Sequence, residues 1–137
     1  METVEDSAVD NPFAYATPIW DLFRRAPRAG RFAADAPGIV TGRAGTPAAR
    51  SVLSLAFQLD GGRVVDARFQ AYGCPTSIAV GAWIADWAIG QPIQNLASLK
   101  AAQLRAALEI PDTRAHCALM GEDAVQAAVA VYQQELS

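Results

Sequence analysis

A chain of 137 residues, 52% hydrophobic and 18% charged, has the make-up of one ordinary globular domain with enough apolar side chains to bury a core. Its net charge of -3 and pI near 5.0 leave no broad basic footprint, which sets nucleic acid aside as the main partner. No apolar run reaches the roughly 18 residues of a membrane span, and METVEDSAVDNP has neither the basic nor the apolar region of a signal peptide, so no membrane partner and a cytoplasmic location are expected.

Residues 1–14 mix acids, Asn and Pro without periodicity and read as a flexible leader, leaving 15–137 as the folded domain. PIWDLFRR, from Pro18 to Arg25, sets Ile19, Trp20, Leu22 and Phe23 on roughly one helical face and predicts a short helix ended by the Pro27 and Gly30 region. Arg24, Arg25 and Arg28 read as a solvated or partner-facing edge. Residues 36–50 are rich in Gly, Pro and Thr, hence loop with a short strand at Gly38 to Thr41. SVLSLAFQLD and RVVDARFQAY then alternate apolar with polar or small residues around Gly61 and Gly62, the pattern of an antiparallel hairpin with one buried face.

After Cys74 the period changes. Pro75 suits a first helical turn, Thr76 and Ser77 suit its capping, and Ile78 to Ile89 is apolar almost all round, so this helix is buried or covered by a partner. Trp83 and Trp87, four residues apart, belong to core or interface. Gly90 and Pro92 stop the helix, Leu96 to Leu108 supplies one or two short helices, and Pro111 ends them. The last helix begins near Thr113 to His116 and runs to about Leu136, with Val125, Ala128, Val129, Tyr132 and Leu136 forming its apolar stripe.

The chemistry-bearing residues are few. His116 is the only histidine, Cys74 and Cys117 are the only cysteines, and each thiol falls at the start of a predicted helix. There the dipole and unpaired N–H groups favour the thiolate, the form that ligates metal and attacks sulfur. In a reducing compartment a structural disulfide is the less expected use, which leaves free thiols, metal ligands or plain core residues. A cysteine–histidine hydrolase is the enzymatic rival, but adjacent His116 and Cys117 do not face each other on a helix, and Cys74 with His116 lacks an identifiable orienting group or oxyanion motif.

Two stretches carry a resemblance. DARFQAYGCPTSIA and RAHCALMGEDAVQAAVAVY look like the iron–sulfur cluster assembly scaffolds, the IscU family and the N-terminal domain of NifU, and the likeness runs from about Ile19 to Tyr132. A D-A-R-F-x-x-Y-G-C motif is matched by Asp66, Ala67, Arg68, Phe69, Tyr72, Gly73 and Cys74. An H-C-(S/A)-x-L-x-E-D-A motif is met in part by His116, Cys117, Ala118, Glu122, Asp123 and Ala124.

The resemblance implies an α+β fold, a small three-stranded antiparallel sheet with helices packed on it. It implies a scaffold or carrier rather than an enzyme, with Cys74, His116 and Cys117 holding iron, zinc or an iron–sulfur cluster, and Cys117 accepting sulfur from a cysteine desulfurase. The family's G-x-P-x-C-G-D loop appears as GTPAARS, with Ala49 in place of the cysteine, Arg50 of the glycine and Ser51 of the aspartate. A [2Fe–2S] cluster takes four protein ligands, and four-coordinate Zn²⁺ on Cys74, His116 and Cys117 keeps one open position. Water, a carboxylate or another chain would fill that position on zinc, a second chain of a homodimer would complete a cluster, and Arg50 would add positive charge beside the site. The family's L-P-P-V-K segment reads IPDTR over residues 110–114, which argues against cluster release driven by an Hsp70-type chaperone. Loss of two ligands motivates the alternative of a degenerate member, a metal-binding or regulatory protein-interaction module without cluster assembly.

Overall fold

The computed structural model describes residues 14–46, 48 and 50–136; the expected leader, apart from Ala14, lies outside them. The elements are α1 (Thr17–Arg25), β1 (Ile39–Thr46), β2 (Ser51–Asp60), β3 (Arg63–Tyr72), α2 (Pro75–Ala88), α3 (Ala101–Leu108) and α4 (Ala115–Leu136). Short 3-10 segments at Ile93–Ser98 and Asp112–Arg114 precede α3 and α4. The strands form one antiparallel sheet in the order β1-β2-β3, and the helices pack against it, which is the α+β arrangement expected.

The hairpin arises where the sequence predicts it, because Gly61 and Gly62 both take positive φ, as a tight turn between right-twisted strands requires. Leu53, Leu55 and Phe57 of β2 alternate into the core. In β3 the adjacent Val64 and Val65 cannot both face inward. A register shift resolves this: Gln58 opposes Asp66 while Leu59 opposes Val64, so Val65 is the extra residue and stays exposed. Beyond the bulge Ala67 and Phe69 return to the core.

β1 is longer than the strand expected at Gly38 to Thr41. Its IVTGRAGT has weak strand propensity, yet it pairs residue for residue with β2 from Ile39↔Gln58 to Thr46↔Ser51. Residue 42 has room only for glycine, since α4 crosses so closely that a Cβ there would overlap the Ala124 carbonyl oxygen and the Ala128 nitrogen. α2 crosses Phe69 and Leu53 at Gly81, and Val80 and Ile84 of α2 meet α4 at Gly121. These approaches lock α2 and α4 onto the same sheet face. α2 is buried along most of its length, while Trp83 and Trp87 stack on its outer side with ring centroids 5.8 Å apart.

The outer edge of β3 is not left open. Gly90, Gln91 and Ile93 bond to Val64 and Gly62, and farther along the Gly30 N–H donates to Phe69 O (2.9 Å) while Phe69 N–H donates to Arg28 O (3.1 Å). Asp66 secures that strap. Its carboxylate accepts from the Ala67 N–H (2.8 Å), from Arg68 (2.7 Å) and from Arg28 (3.1 Å), and Arg28 also reaches Asp86 at 3.6 Å. Burial alone would raise the Asp66 pKa, but the bonds from Arg68 and the Ala67 N–H, with the charges of Arg68 and Arg28, outweigh it and hold the carboxyl below its ordinary value. Arg28 and Arg25 are therefore paired rather than simply solvated, Arg25 with Asp21 one helical turn away. Asp66→Asn is expected to cost about 1–2 kcal/mol in urea unfolding at pH 7, because it leaves charged donors with a neutral acceptor. Since the folded-state pKa is lowered, that contribution is present above the ordinary carboxylate pKa and disappears as pH falls through the lowered one, so wild type and variant should converge in acid.

Candidate functional site

α2 and α4 begin at the same end of the sheet, and each brings one cysteine to its first turn. Cys74 occupies the N-cap position of α2, following Gly73, which sits at φ +151. Thr76 and Ser77, expected to cap that helix, instead stand inside its first turn with both side chains buried, and the Cys74 carbonyl accepts from the N–H groups of Ser77 (3.0 Å) and Ile78 (3.3 Å). Cys117 lies in the first turn of α4. The two Sγ atoms are 3.8 Å apart, and the Ser77 hydroxyl touches both, at 3.8 Å from Cys74 and 3.5 Å from Cys117. Both thiols are free; Cys74 is half-buried, whereas Cys117 is 0% exposed.

That contact divides the protons unequally. The hydrogen bond from Cys117 is the largest influence on Cys74 and brings its thiol down to about 4. Burial opposes this, while the N–H groups of Ser77 and Thr76 and the Ser77 hydroxyl assist. On Cys117 the same contact acts in reverse, and together with burial it pushes that thiol well above the cysteine range. The pair thus releases one proton easily and holds the other between two sulfurs.

His116 neighbours Cys117 in sequence but is exposed, as successive helical side chains point about 100° apart. The structure brings Cys74 and Cys117 together and leaves His116 beside them in solvent. Among the described residues, no group of three or more His, Cys, Asp and Glu side chains is placed to hold a metal ion. Ala49 lies outside the described residues, Arg50 is exposed with φ +57, and the Ser51 hydroxyl sits 3.4 Å from the Met120 sulfur. Ser77 and Met120 are the neighbours that sequence reasoning missed. Each follows a cysteine by three residues on a helix, the spacing that places side chains on one face, and that is the signal which could have found them.

Other motif residues serve the framework. Asp66 and Arg68 hold the β3 edge, and Glu122 accepts the Ala101 N–H at 2.7 Å, satisfying an open donor at the start of α3. In the 110–114 segment, Arg105 binds the Ile110 carbonyl and the Asp112 carboxylate, and the Arg114 guanidinium lies 5.9 Å from the Tyr15 ring centre.

The sequence pattern of the NifU-like N terminal domain family matches residues 14–137. The chain belongs to that family. It is 31% identical over 121 residues to the "Iron-sulfur cluster assembly scaffold protein IscU" of Haemophilus influenzae, covering 88% of this chain and 96% of the relative. It is 30% identical over 123 residues to the IscU scaffold of Escherichia coli K12, covering 89% and 96%. Among solved structures, a putative SUF-system scaffold from Fervidobacterium islandicum superposes with a TM-score of 0.67 at 19% identity, over 84% of this chain and 96% of that one. A NifU-like N-terminal protein from Brucella abortus gives 0.67 at 17% identity, over 87% and 94%. At those identities the structures speak to the fold alone. Within the NifU-like family, this member has the two thiols in contact, a serine where the resemblance calls for the aspartate, and an alanine where it calls for the first cysteine.

Proposed function

We propose that this protein is a scaffold or carrier in iron–sulfur cluster assembly, taking iron or a cluster as cargo between Cys74 and Cys117. The observation that supports it most is the 3.8 Å meeting of two thiols at two helix N-termini, where sulfur ligands to a cation are held by the fold before it arrives. A [2Fe–2S] cluster takes four protein ligands. Cys74 and Cys117 supply two, His116 turns in from solvent as a third, and a second copy of the chain or a partner supplies the last. Sulfur comes from a cysteine desulfurase, and the protein works in the cytoplasm.

A second reading is favoured by Ser51, whose hydroxyl faces the Met120 sulfur at 3.4 Å where the resemblance calls for a carboxylate ligand. On that reading the protein is an interaction module that holds zinc or no metal. Anaerobic reconstitution with ferrous iron and sulfide separates the two: the scaffold reading expects cluster absorption with stoichiometric iron and sulfide, abolished in the Cys74→Ala, Cys117→Ala double variant. Zinc alone, or no metal, with an undisturbed fold would overturn it in favour of the module.

A further inference from the structure

We propose that Cys74 and Cys117 form a two-thiol sulfur relay, in which Cys74 takes a sulfane sulfur from a persulfide donor and Cys117 discharges it as hydrogen sulfide. The resemblance places sulfur acceptance on Cys117. Access argues otherwise, because Cys117 is 0% exposed beneath Cys74 and Ser77, whereas Cys74 is open on one side. A persulfide carried by a small thiol or by another protein meets Cys74 first, and Cys117 is reached only through it.

In the first step Cys74 Sγ bonds to the outer sulfur of the donor, the donor's S–S bond breaks, and the donor leaves as a thiol. In the second, Cys117 Sγ attacks Cys74 Sγ, the bond from Cys74 to the added sulfur breaks, and that sulfur departs with the Cys117 proton and its own as hydrogen sulfide. The sulfane sulfur gains two electrons, and the two thiols lose two in becoming a disulfide. A low-molecular-weight thiol such as glutathione reduces that disulfide for the next round.

The geometry suits both steps. The Sγ atoms are already in van der Waals contact at 3.8 Å, so closing to a disulfide bond of about 2.05 Å asks for a short movement of two side chains. Cys74 is half-buried and Cys117 is fully buried against it, so the added sulfur arrives at the accessible member of the pair and the nucleophile waits at the sealed one. Ser77, buried and in contact with both sulfurs, keeps them facing each other. The relay rests on the scaffold reading only for the use made of the sulfide.

The test is to treat the full chain anaerobically with one equivalent of glutathione persulfide free of added thiol, following released sulfide, free thiols and the intact mass. Wild type should release one sulfide per chain and lose two hydrogens in mass as the disulfide closes. Cys117→Ser should stop midway, with one extra sulfur atom on residue 74 and no sulfide above the donor's own decay. Cys74→Ser should do neither over the same time. A wild-type chain that keeps the extra sulfur, or a Cys74→Ser chain that takes it up on Cys117 at the wild-type rate, would each overturn the relay. Circular dichroism checks that the variants fold, and peptide mapping of the wild type decides the matter even where one does not. Iron is absent throughout, so a chain that builds clusters from iron and sulfide but leaves persulfide unresolved keeps the scaffold reading and loses the relay. The reverse result keeps the relay alone.

Discussion

Gly42→Ala should destabilise the protein far more than Gly121→Ala, although each adds one methyl group. At residue 42 the new Cβ lands on backbone, the Ala124 carbonyl oxygen and the Ala128 nitrogen, so neither obstacle can rotate away and α4 must lift from β1. At residue 121 the atoms met are side-chain ends, Val80 Cγ1 at 2.6 Å with Ile84 Cδ1 and Leu104 Cδ1 at 3.0 Å, which can change rotamer. Overpacking costs about 1–3 kcal/mol where a core can adjust and more where it cannot. The expectation is about 1 kcal/mol for Gly121→Ala and at least about 3 kcal/mol for Gly42→Ala. The latter is a fall of about 10–15 °C in Tm for a chain this size, or failure to accumulate as soluble protein. Thermal unfolding followed by circular dichroism measures both, and equal losses would contradict the close crossing of β1 and α4.

Alkylation of Cys74 by iodoacetamide should be nearly flat from pH 5 to pH 8, where a free cysteine gains reactivity steadily. With its thiol brought down to about 4, Cys74 is already ionised at pH 5. An ordinary thiol of pKa about 8.5 is then only about 0.03% thiolate. Low basicity costs nucleophilicity, about a hundredfold across this gap for a Brønsted slope of 0.4–0.5. The balance makes Cys74 about 15- to 50-fold faster than free cysteine at pH 5 and slower than it at pH 8. Cys117, buried and holding its proton, should stay unlabelled until the protein unfolds. Mass spectrometry of the two peptides across pH reads this directly, and a rate at residue 74 rising tenfold per pH unit would refute the shared-proton pair.

The same protons bear on stability. Between about pH 4 and the ordinary thiol range the unfolded chain binds one more proton than the folded pair, so stability should rise with pH. Above that range the folded chain keeps the Cys117 proton that the unfolded chain has lost, and stability should fall.

Elements whose period follows from a single buried face were readable in the sequence. The hairpin, the apolar helix after Cys74 and the long last helix stand close to where alternation and helical spacing put them, and they agree with the α+β arrangement that the resemblance implies. β1 runs beyond the strand predicted at Gly38 to Thr41 because its strand character comes from pairing with β2 and from α4 above Gly42, neither of which is local. The site divides in the same way. Cys74 and Cys117 could be picked out by residue type and by position at helix starts. That they touch through Ser77, that Cys117 is sealed while His116 is exposed, and that Ser51 turns to Met120 depend on how two helices cross the sheet. The matched D-A-R and E-D-A motifs, read as signatures of the scaffold family, prove to include the ties that hold an edge and a helix start.

The two sulfurs are separated by 43 residues of chain and joined only through α4. During synthesis Cys74 therefore emerges first, and at about 5–20 residues per second its partner follows only after about 2–9 s. Throughout that interval Cys74 is an ordinary thiol with no neighbour to share a proton. The site comes into being once the final helix has been made and laid across β1, so an unfinished or truncated chain would carry the cysteine without its chemistry.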